Sequence, residues 1–340
     1  MDIILLQDDD LDIIFENVNN MQIVFHPYYS PEGIFCNYDA FIKNEKNKVI
    51  FLDRNVVTTI YDYFSNGTLP STDKMIEVLF FLMFCKINGF QYNVGIAMNE
   101  YAEYTDNNIV ISQLNKILNY LSNIPFMALK TKLLSNDFQF NLSDMPNEFN
   151  RDFNYKFKSD EYLLSYCSVL KIAQLLLTEM SPKNKLIKYL EWHYDNLEIS
   201  KYEITYAVLL FTTYPKIKAP KNINSGNYEK VIKGCKNQAW DIAYLSIIKN
   251  LQYHFKDSEY FFATYDINLK LIFMGCNFFK NSWQDILYDR LSSKDFNEIY
   301  DIINEKMKNR VKPKCTQETL TELSNKLEEE LKNAFTKEEC

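Results

Sequence analysis

The sequence predicts an α/β fold with a mainly parallel central sheet, and three observations carry that expectation. Residues 48–55 read KVIFLDRN, where Val49, Ile50, Phe51 and Leu52 form an unbroken apolar run that ends in Asp53. Residues 259–266 read EYFFATYD, a second apolar run that again ends in an acid, Asp266. Short continuous apolar runs, as opposed to alternating ones, mark strands covered on both faces, which is the condition of a parallel sheet. Between them, residues 107–215 are mostly segments with apolar residues three and four apart, the spacing of helices.

Taken in order, residues 1–45 are expected to form short strands and turns, because MQIVFHPYY and GIFCNYDAF flank a Ser-Pro-Glu-Gly turn signal. After the first buried strand, residues 56–64 read as a helix and 65–71 (SNGTLPS) as a loop. Residues 72–88 predict a strongly apolar helix that Asn88-Gly89 ends. Residues 91–104 (QYNVGIAMNEYAEY) bring Glu100 and Glu103 in quick succession. Helices follow over 109–121, 162–180, 185–197 and 204–211, then a Pro-, Asn- and Lys-rich loop over 216–225 (KIKAPKNINS). A long helix spans 228–252 and the second buried strand 259–265. Another helix and a strand-like piece come next. Residues 304–340 read as a charged helical extension whose end, LEEELKNAFTKEEC, is expected in solvent.

Composition narrows the function. The chain has 340 residues, 47% of them hydrophobic and 24% charged, which matches a globular protein with a substantial core. Only 7 residues are Gly, and no GxGxxG or GxxxxGK[ST] occurs, which argues against a Gly-rich phosphate loop. The longest apolar stretch, residues 78–85 (VLFFLMFC), is far too short to span a bilayer. The opening MDIILLQDDD lacks the basic start of a secretory signal. The 7 Cys stand singly with no CxxC, so a reducing cytoplasm is expected and a zinc ribbon or disulfide framework is not.

The formal net charge of −8 speaks against a nonspecific nucleic-acid coat protein. Lysines nevertheless gather at Lys216, Lys218, Lys221, Lys230, Lys233 and Lys236, and a second basic group covers Lys306, Lys308, Arg310, Lys312 and Lys314. Each is a phosphate-binding face or a solvated one.

Four acids recur at strand ends or on otherwise apolar helices: Asp53, Glu100 in GIAMNEYAEY, Asp241 in QAWDIAYL, and Asp266. Asp53 is placed either to cap the next helix or to do chemistry, since ligands of open α/β sheets bind beyond the carboxyl ends of the strands. Carboxylates gathered at one sheet edge repel unless a cation neutralises them, and hard divalent cations take oxygen ligands. Such a site supports in-line displacement at phosphorus.

The strand-Asp-x-Asn element FLDRN, the glutamate in AMNEY, the acid in AWDIAYL and the strand end TYD together resemble the PIN-like nuclease superfamily, in order and in type. The resemblance covers roughly residues 46–106 and 226–280. It implies a three-layer PIN-like core in two halves, 46–106 and 226–290, with a helical insertion over 107–225. Residues 1–45 and 291–340 would then be extensions. Carried over, Asp53, Glu100, Asp241 and Asp266 would coordinate Mg²⁺ or Mn²⁺, with Glu103 the rival of Glu100. Asn55 would orient Asp53, and Thr264 would support Asp266 or the water on the metal. Arg54 departs from the small residue common at that position, and would bind a phosphate or pair with a carboxylate. Lys230, Lys233 and Lys236 would contact nucleic acid.

The resemblance implies a metal-dependent nuclease, RNA its expected substrate, acting as a bacterial toxin or antiviral effector with a possible protein partner. A catalytically inactive interaction protein and a structure-specific DNA nuclease are the alternatives. Elsewhere, His26, His193 and His254 are too far apart for a histidine metal motif. In YLEWHYDNLE, Trp192 is expected in the core, with His193 a satisfied or exposed neighbour in place of a catalytic partner of Asp195. The cysteines are expected to be small buried hydrophobes.

Overall fold

A computed structural model of the chain describes residues 8–140, 153–277 and 283–336. They form a helix-rich mixed α/β structure with a small, mostly parallel four-stranded sheet. The chain divides into two units, residues 1–157 with 250–266, and residues 158–249 with 267–340.

The first unit holds the whole sheet. Its elements are α1 (Asp8–Met21), β1 (Val24–Phe25), α2 (Tyr38–Lys43), β2 (Asn47–Leu52), α3 (Arg54–Asn66), α4 (Thr72–Ile87), β3 (Gln91–Asn93), α5 (Gly95–Ala102), α6 (Asn107–Asn123) and α7 (Phe126–Ser135). β4 (Ser258–Ala263) returns from far along the chain. The strand order is β1-β4-β2-β3, with β4, β2 and β3 parallel and β1 antiparallel to β4. Ile50, Phe51 and Leu52 of β2 and Phe261, Phe262 and Ala263 of β4 are almost wholly buried, as their unbroken apolar runs require. Phe261 meets the rings of Phe41 and Phe90 at 5.6 and 4.9 Å, so aromatic side chains supply much of the layer against that face. Because the three parallel strands run the same way, the residues after β2, β4 and β3 leave the sheet at one common edge.

The N-terminal region departs from the strand-and-turn expectation. Residues 8–21 are helical, with Ile14, Phe15 and Val18 buried on one side, and the strand in MQIVFHPYY shrinks to Val24 and Phe25. Residues 38–43 are helical too. The acidic run at the front of α1 masked its apolar stripe, and acids are in fact favoured in a helix's first turn.

A histidine secures the short edge strand. The His26 Nδ1 accepts from the backbone N–H groups of Tyr28 and Tyr29 at 3.1 and 3.2 Å. That leaves Nε2 as the protonated nitrogen, 3.2 Å from Glu259 Oε2. Lys46 Nζ reaches the other oxygen at 3.0 Å. The His26 bond first, and the Lys46 ammonium after it, hold the Glu259 carboxyl down at about 2.

The second unit is helical among its described residues: α8 (Asp160–Leu176), α9 (Pro182–Asn196), α10 (Lys201–Phe211), α11 (Tyr228–His254, whose residues to 249 belong here), α12 (Ile267–Asn277), α13 (Trp283–Arg290), α14 (Ser293–Lys308) and α15 (Gln317–Thr336). No strand-like piece follows α12 among the described residues. The C-terminal helix is packed where a solvated tail was expected. Leu320, Leu327 and Leu331 of α15 are buried, and α15 lies along α8. Burying each leucine contributes roughly 2 kcal/mol. Residues 337–340, the end of the expected tail, lie outside the described residues. The second basic group is a structural clamp, too. Lys306 pairs with Asp195 at 2.6 Å and Lys312 with Glu198 at 3.2 Å, while the Arg310 guanidinium donates to the carbonyls of Tyr194 and Leu197.

The two units cut across the boundaries read from sequence. Helices α6 and α7, placed in the 107–225 insertion, belong with the sheet, and residues 226–249, placed in the second half of the core, belong with the helical unit. Among the described residues no helix is long and apolar enough to cross a membrane. Cys85, Cys167 and Cys235 are buried as expected, but Cys36 is exposed.

The helical unit encloses an acid that the sequence reading passed over. Glu203 of α10 is fully buried. Its Oε1 accepts from Ser165 Oγ at 2.5 Å and its Oε2 from the hydroxyl of Ser200. Burial lifts its carboxyl from 4.5 to about 7, against the downward pull of the Ser165 bond. A carboxyl whose value rises on folding binds its proton more tightly in the folded state. It therefore favours folding most in acid, and that contribution is lost as pH rises from about 4.5 through about 7. Glu203→Gln imitates the protonated form. Between about pH 4.5 and about pH 8 the stability of wild type should fall relative to Glu203→Gln by roughly 3 kcal/mol, read from urea unfolding of both proteins.

Candidate active site

The KVIFLDRN strand ends where α3 begins, and Asp53 is the junction. Its backbone is extended, and its side chain caps the helix by accepting from Arg54 N at 2.7 Å through Oδ1. Its carbonyl accepts from Val56 N and Val57 N, starting the helical ladder. Both roles of Asp53 weighed from the sequence thus begin from one geometry. The cap is present, and the other oxygen is directed elsewhere.

That oxygen, Oδ2, accepts from Asn55 Nδ2 at 2.5 Å and from Thr264 Oγ1 at 2.6 Å. Thr264 is the first residue beyond β4, held by its N–H on Ile23 O at 3.0 Å. Asp53 N donates to Ala263 O at 3.0 Å, continuing the β2–β4 pairing by one more bond. Asn55 spans the same gap, its Oδ1 accepting from Tyr265 N at 3.1 Å. The Thr264 hydroxyl in turn accepts from Asp266 N at 2.9 Å. One bonded set therefore ties Asp53, Asn55, Thr264 and Asp266 across the ends of two adjacent parallel strands.

The electrostatics follow from this placement. Asp53 is 2% exposed and Thr264 wholly buried. Burial is the main cause that lifts the Asp53 carboxyl from 3.8 to about 6, and the nearby charge of Asp266 adds to it. The bonds from Thr264, Arg54 N and Asn55 pull the other way without cancelling the rise.

The remaining expected residues divide by unit. Glu100 is half-buried on α5, the helix that follows β3 and packs against α3. Glu103 is the residue that ends α5, its N–H donating to Glu100 O at 3.2 Å. Arg54 points along the same side. Its guanidinium lies 3.8 Å from the Tyr101 ring centroid and donates to Gln113 Oε1 at 2.9 Å. It thus neither pairs with a surface carboxylate in those contacts nor stands loose in solvent. Asp241 belongs to the second unit, on α11, where Gln238 Nε2 lies 3.4 Å from its Oδ2. Lys230, Lys233 and Lys236 are on α11 of that unit as well.

The donor chemistry suits a hard cation only in part. Asp53 and Asp266 offer carboxylate oxygens, and Mg²⁺ commonly uses one or two carboxylates and completes its shell with water. Among the described residues, no group of three or more His, Cys, Asp or Glu side chains is arranged to hold a metal ion. Asp53 and Asp266 thus supply the donor type of such a shell, without a closed protein cage among the described residues.

Two residues that sequence reasoning missed border the junction. Lys74 Nζ sits 3.3 Å over the Tyr265 ring and 2.7 Å from Glu77 Oε2. Burial, and Glu77 after it, push the Tyr265 hydroxyl well above its ordinary range. Glu77 and Asp73 also line a cleft of about 240 Å³ between α1 and α4. In YLEWHYDNLE the order of burial is the reverse of that expected. His193 is fully buried, with Nδ1 3.2 Å from the Tyr189 hydroxyl, and Trp192 is half-exposed. Burial first, and Arg310 after it, press His193 down to about 3, so it stays neutral. Asp195 is engaged with Lys306, and no His–Asp pair forms there.

The Asp53 shift has a measurable sign. With a folded value above its unfolded one, Asp53 favours folding most below 3.8 and loses that contribution as pH rises through about 6. Asp53→Asn should remove this dependence. The stability of wild type relative to the variant is expected to fall by roughly 3 kcal/mol between about pH 4 and about pH 7, measured by denaturant titration at both values. No family model, curated protein or solved structure matches the chain, so the reading of its function rests on the geometry of this junction.

Proposed function

We propose that the chain is a divalent-cation-dependent phosphodiesterase of PIN-like type, with RNA as its substrate. The observation that carries this reading is the buried Asp53 carboxylate, tied through Asn55 and Thr264 to Asp266 at the ends of two neighbouring parallel strands. That edge is where open α/β sheets bind their ligands. Asp53 and Asp266 would hold Mg²⁺ or Mn²⁺, with Glu100 or its rival Glu103 approaching from the helix after β3. The cation would supply charge neutralisation during displacement at phosphorus. Asn55 and Thr264 hold the Asp53 carboxylate in one orientation, and the Arg54 guanidinium is stacked on Tyr101 of the helix that carries Glu100. Roles as a toxin or defence effector extend the same proposal by analogy of fold alone.

A second reading has its own observation. Asp53 already serves as a helix cap with three hydrogen bonds, and that geometry supports a non-catalytic interaction protein. The two readings separate on labelled RNA and single-stranded DNA incubated with Mn²⁺. The nuclease reading expects cleavage by wild type, and loss of at least about 100-fold in Asp53→Asn and Asp266→Asn, the scale of removing one charge-stabilising group. Thr264→Val should cost about 10- to 100-fold, as for a residue that orients a ligand. Undiminished cleavage by both acid variants would remove the site, and an inert wild type would favour the interaction protein.

A further inference from the structure

The helical unit carries a basic surface that the chain builds in three dimensions from two separate stretches. Residues 216–236 hold six lysines against one acid, Glu229, in a chain whose formal net charge is −8. On sequence alone these are a loop and the start of a helix, with nothing to say that they meet. In the fold they are pressed together at Gly234 of α11. A Cβ at that position would stand 1.9 Å from the carbonyl oxygen of Lys221, so only glycine admits the approach. Lys230 lies four residues before Gly234, on the same face of α11 and one turn toward its start.

The loop is pinned at its other end as well. Lys218 N donates to Asn268 Oδ1 at 2.9 Å, and Lys218 O accepts from Asn268 Nδ2 at 3.2 Å and from the Tyr206 hydroxyl at 3.0 Å. Asn268 Nδ2 also donates to Gln238 Oε1, one turn beyond Gly234 on α11. The segment from Lys218 to Lys221 therefore runs beside α11 between the levels of Gln238 and Gly234. Lys218, Lys221, Lys230 and Lys233 are all exposed. Ile223 of the loop is buried, which anchors the backbone and leaves the lysine heads in water. Three acids lie near this surface. Glu229 precedes Lys230. Asp241 follows Gln238 by three residues, with its Oδ2 3.4 Å from Gln238 Nε2, and Glu328 of α15 accepts from the Tyr166 hydroxyl at 2.7 Å.

We infer that Lys218, Lys221 and Lys230, brought together by the Gly234 contact, form a surface that binds the phosphate backbone of a nucleic acid. The class of partner follows from the chemistry. Lysines track phosphates as point charges, and amides such as those of the exposed Asn222 and Asn224 bond phosphate and sugar oxygens. No large apolar side chain is exposed between residues 216 and 236, whereas an interfacial lipid-binding surface inserts such side chains. The backbone is fixed before binding, so little ordering cost opposes association.

This inference rests on the nucleic-acid substrate proposed above, and its test is independent of catalysis. Binding of a fluorescent single-stranded RNA of about 20 nucleotides, and of the DNA of the same sequence, is measured by anisotropy in excess EDTA across a salt series. In single strands each neutralised phosphate contributes roughly 0.7 to the slope of log affinity against log salt. Lys218→Gln, Lys221→Gln and Lys230→Gln combined should reduce that slope by about 2 and weaken binding about tenfold near 0.1 M salt. Lys308→Gln, Lys314→Gln and Lys326→Gln remove the same charge from exposed positions elsewhere and should leave the slope unchanged. Preference for RNA or DNA identifies which backbone is the ligand. Equal effects from the two triple variants, or no effect from either, would overturn the surface. So would binding to phosphatidylserine vesicles without binding to either strand. Mn²⁺-dependent cleavage with an unchanged slope would reject the surface and leave the nuclease reading standing, whereas the expected slope change without cleavage would do the reverse.

Discussion

A single carboxylate joins the two strands and the helix on which the sheet edge depends. Asp53 follows β2, caps α3 and accepts a hydrogen bond from the hydroxyl of Thr264, the residue after β4. Those two strands are separated by about two hundred residues of chain, so their pairing closes a very long loop, and the closure entropy is offset only by contacts made across the pair. Ladder bonds supply part of that. Burial of the apolar runs supplies more, and at the junction Asn55 and Thr264 extend the pairing beyond the last ladder residue with side-chain bonds. Asn55 is the most economical part of this arrangement. It donates to the acid of one strand end and accepts from the backbone of the other, so its orientation is determined from both sides.

The two units handle buried acids differently. In the sheet-bearing unit Asp53 is enclosed but lies near a second acid, Asp266, whose charge adds to the rise. In the helical unit Glu203 is enclosed between hydroxyls of Ser165 and Ser200, a closed arrangement. Both carboxyls are raised, yet for different mixtures of reasons. Burial dominates each, and only Asp53 has a neighbouring carboxylate that contributes. Perturbation by itself therefore does not pick out a site here. What distinguishes the two is the like-charged neighbour, present at Asp53 and absent from the causes at Glu203.

Much of the sheet was legible in the sequence, and the reasons are local. The unbroken runs VIFL and YFFA state that both faces are covered, and the acids that end them mark the edge of the sheet. The two strand ends of the same form were legible, but Thr264 was read as a support of Asp266 or of a metal-bound water, whereas its hydroxyl donates to Asp53. The hidden parts depend on distant chain. β1 has two residues, too few for any period, and exists only because β4 is beside it. The packed face of α15, with leucines at 320, 327 and 331, was written in its spacing but obscured by its charge. Glu203 lies inside KYEITYAVLLF and gives no sign that two serines await it. Gly234 reads as a weak point in a helix until the carbonyl of Lys221 is placed against it.

Whether Asp53 is a cap or a ligand can be argued from magnitudes. An N-cap contributes about 1 kcal/mol, and Asn performs that role about as well as Asp. Keeping an ionised carboxylate at this position near neutral pH costs roughly 3 kcal/mol, net of the three hydrogen bonds it accepts. Because an amide caps equally well, all of that roughly 3 kcal/mol is destabilisation that Asn would avoid. A charge held against that gradient beside a second acid is one that a cation would stabilise, since a bound ion reverses the sign of both contributions, the burial and the repulsion.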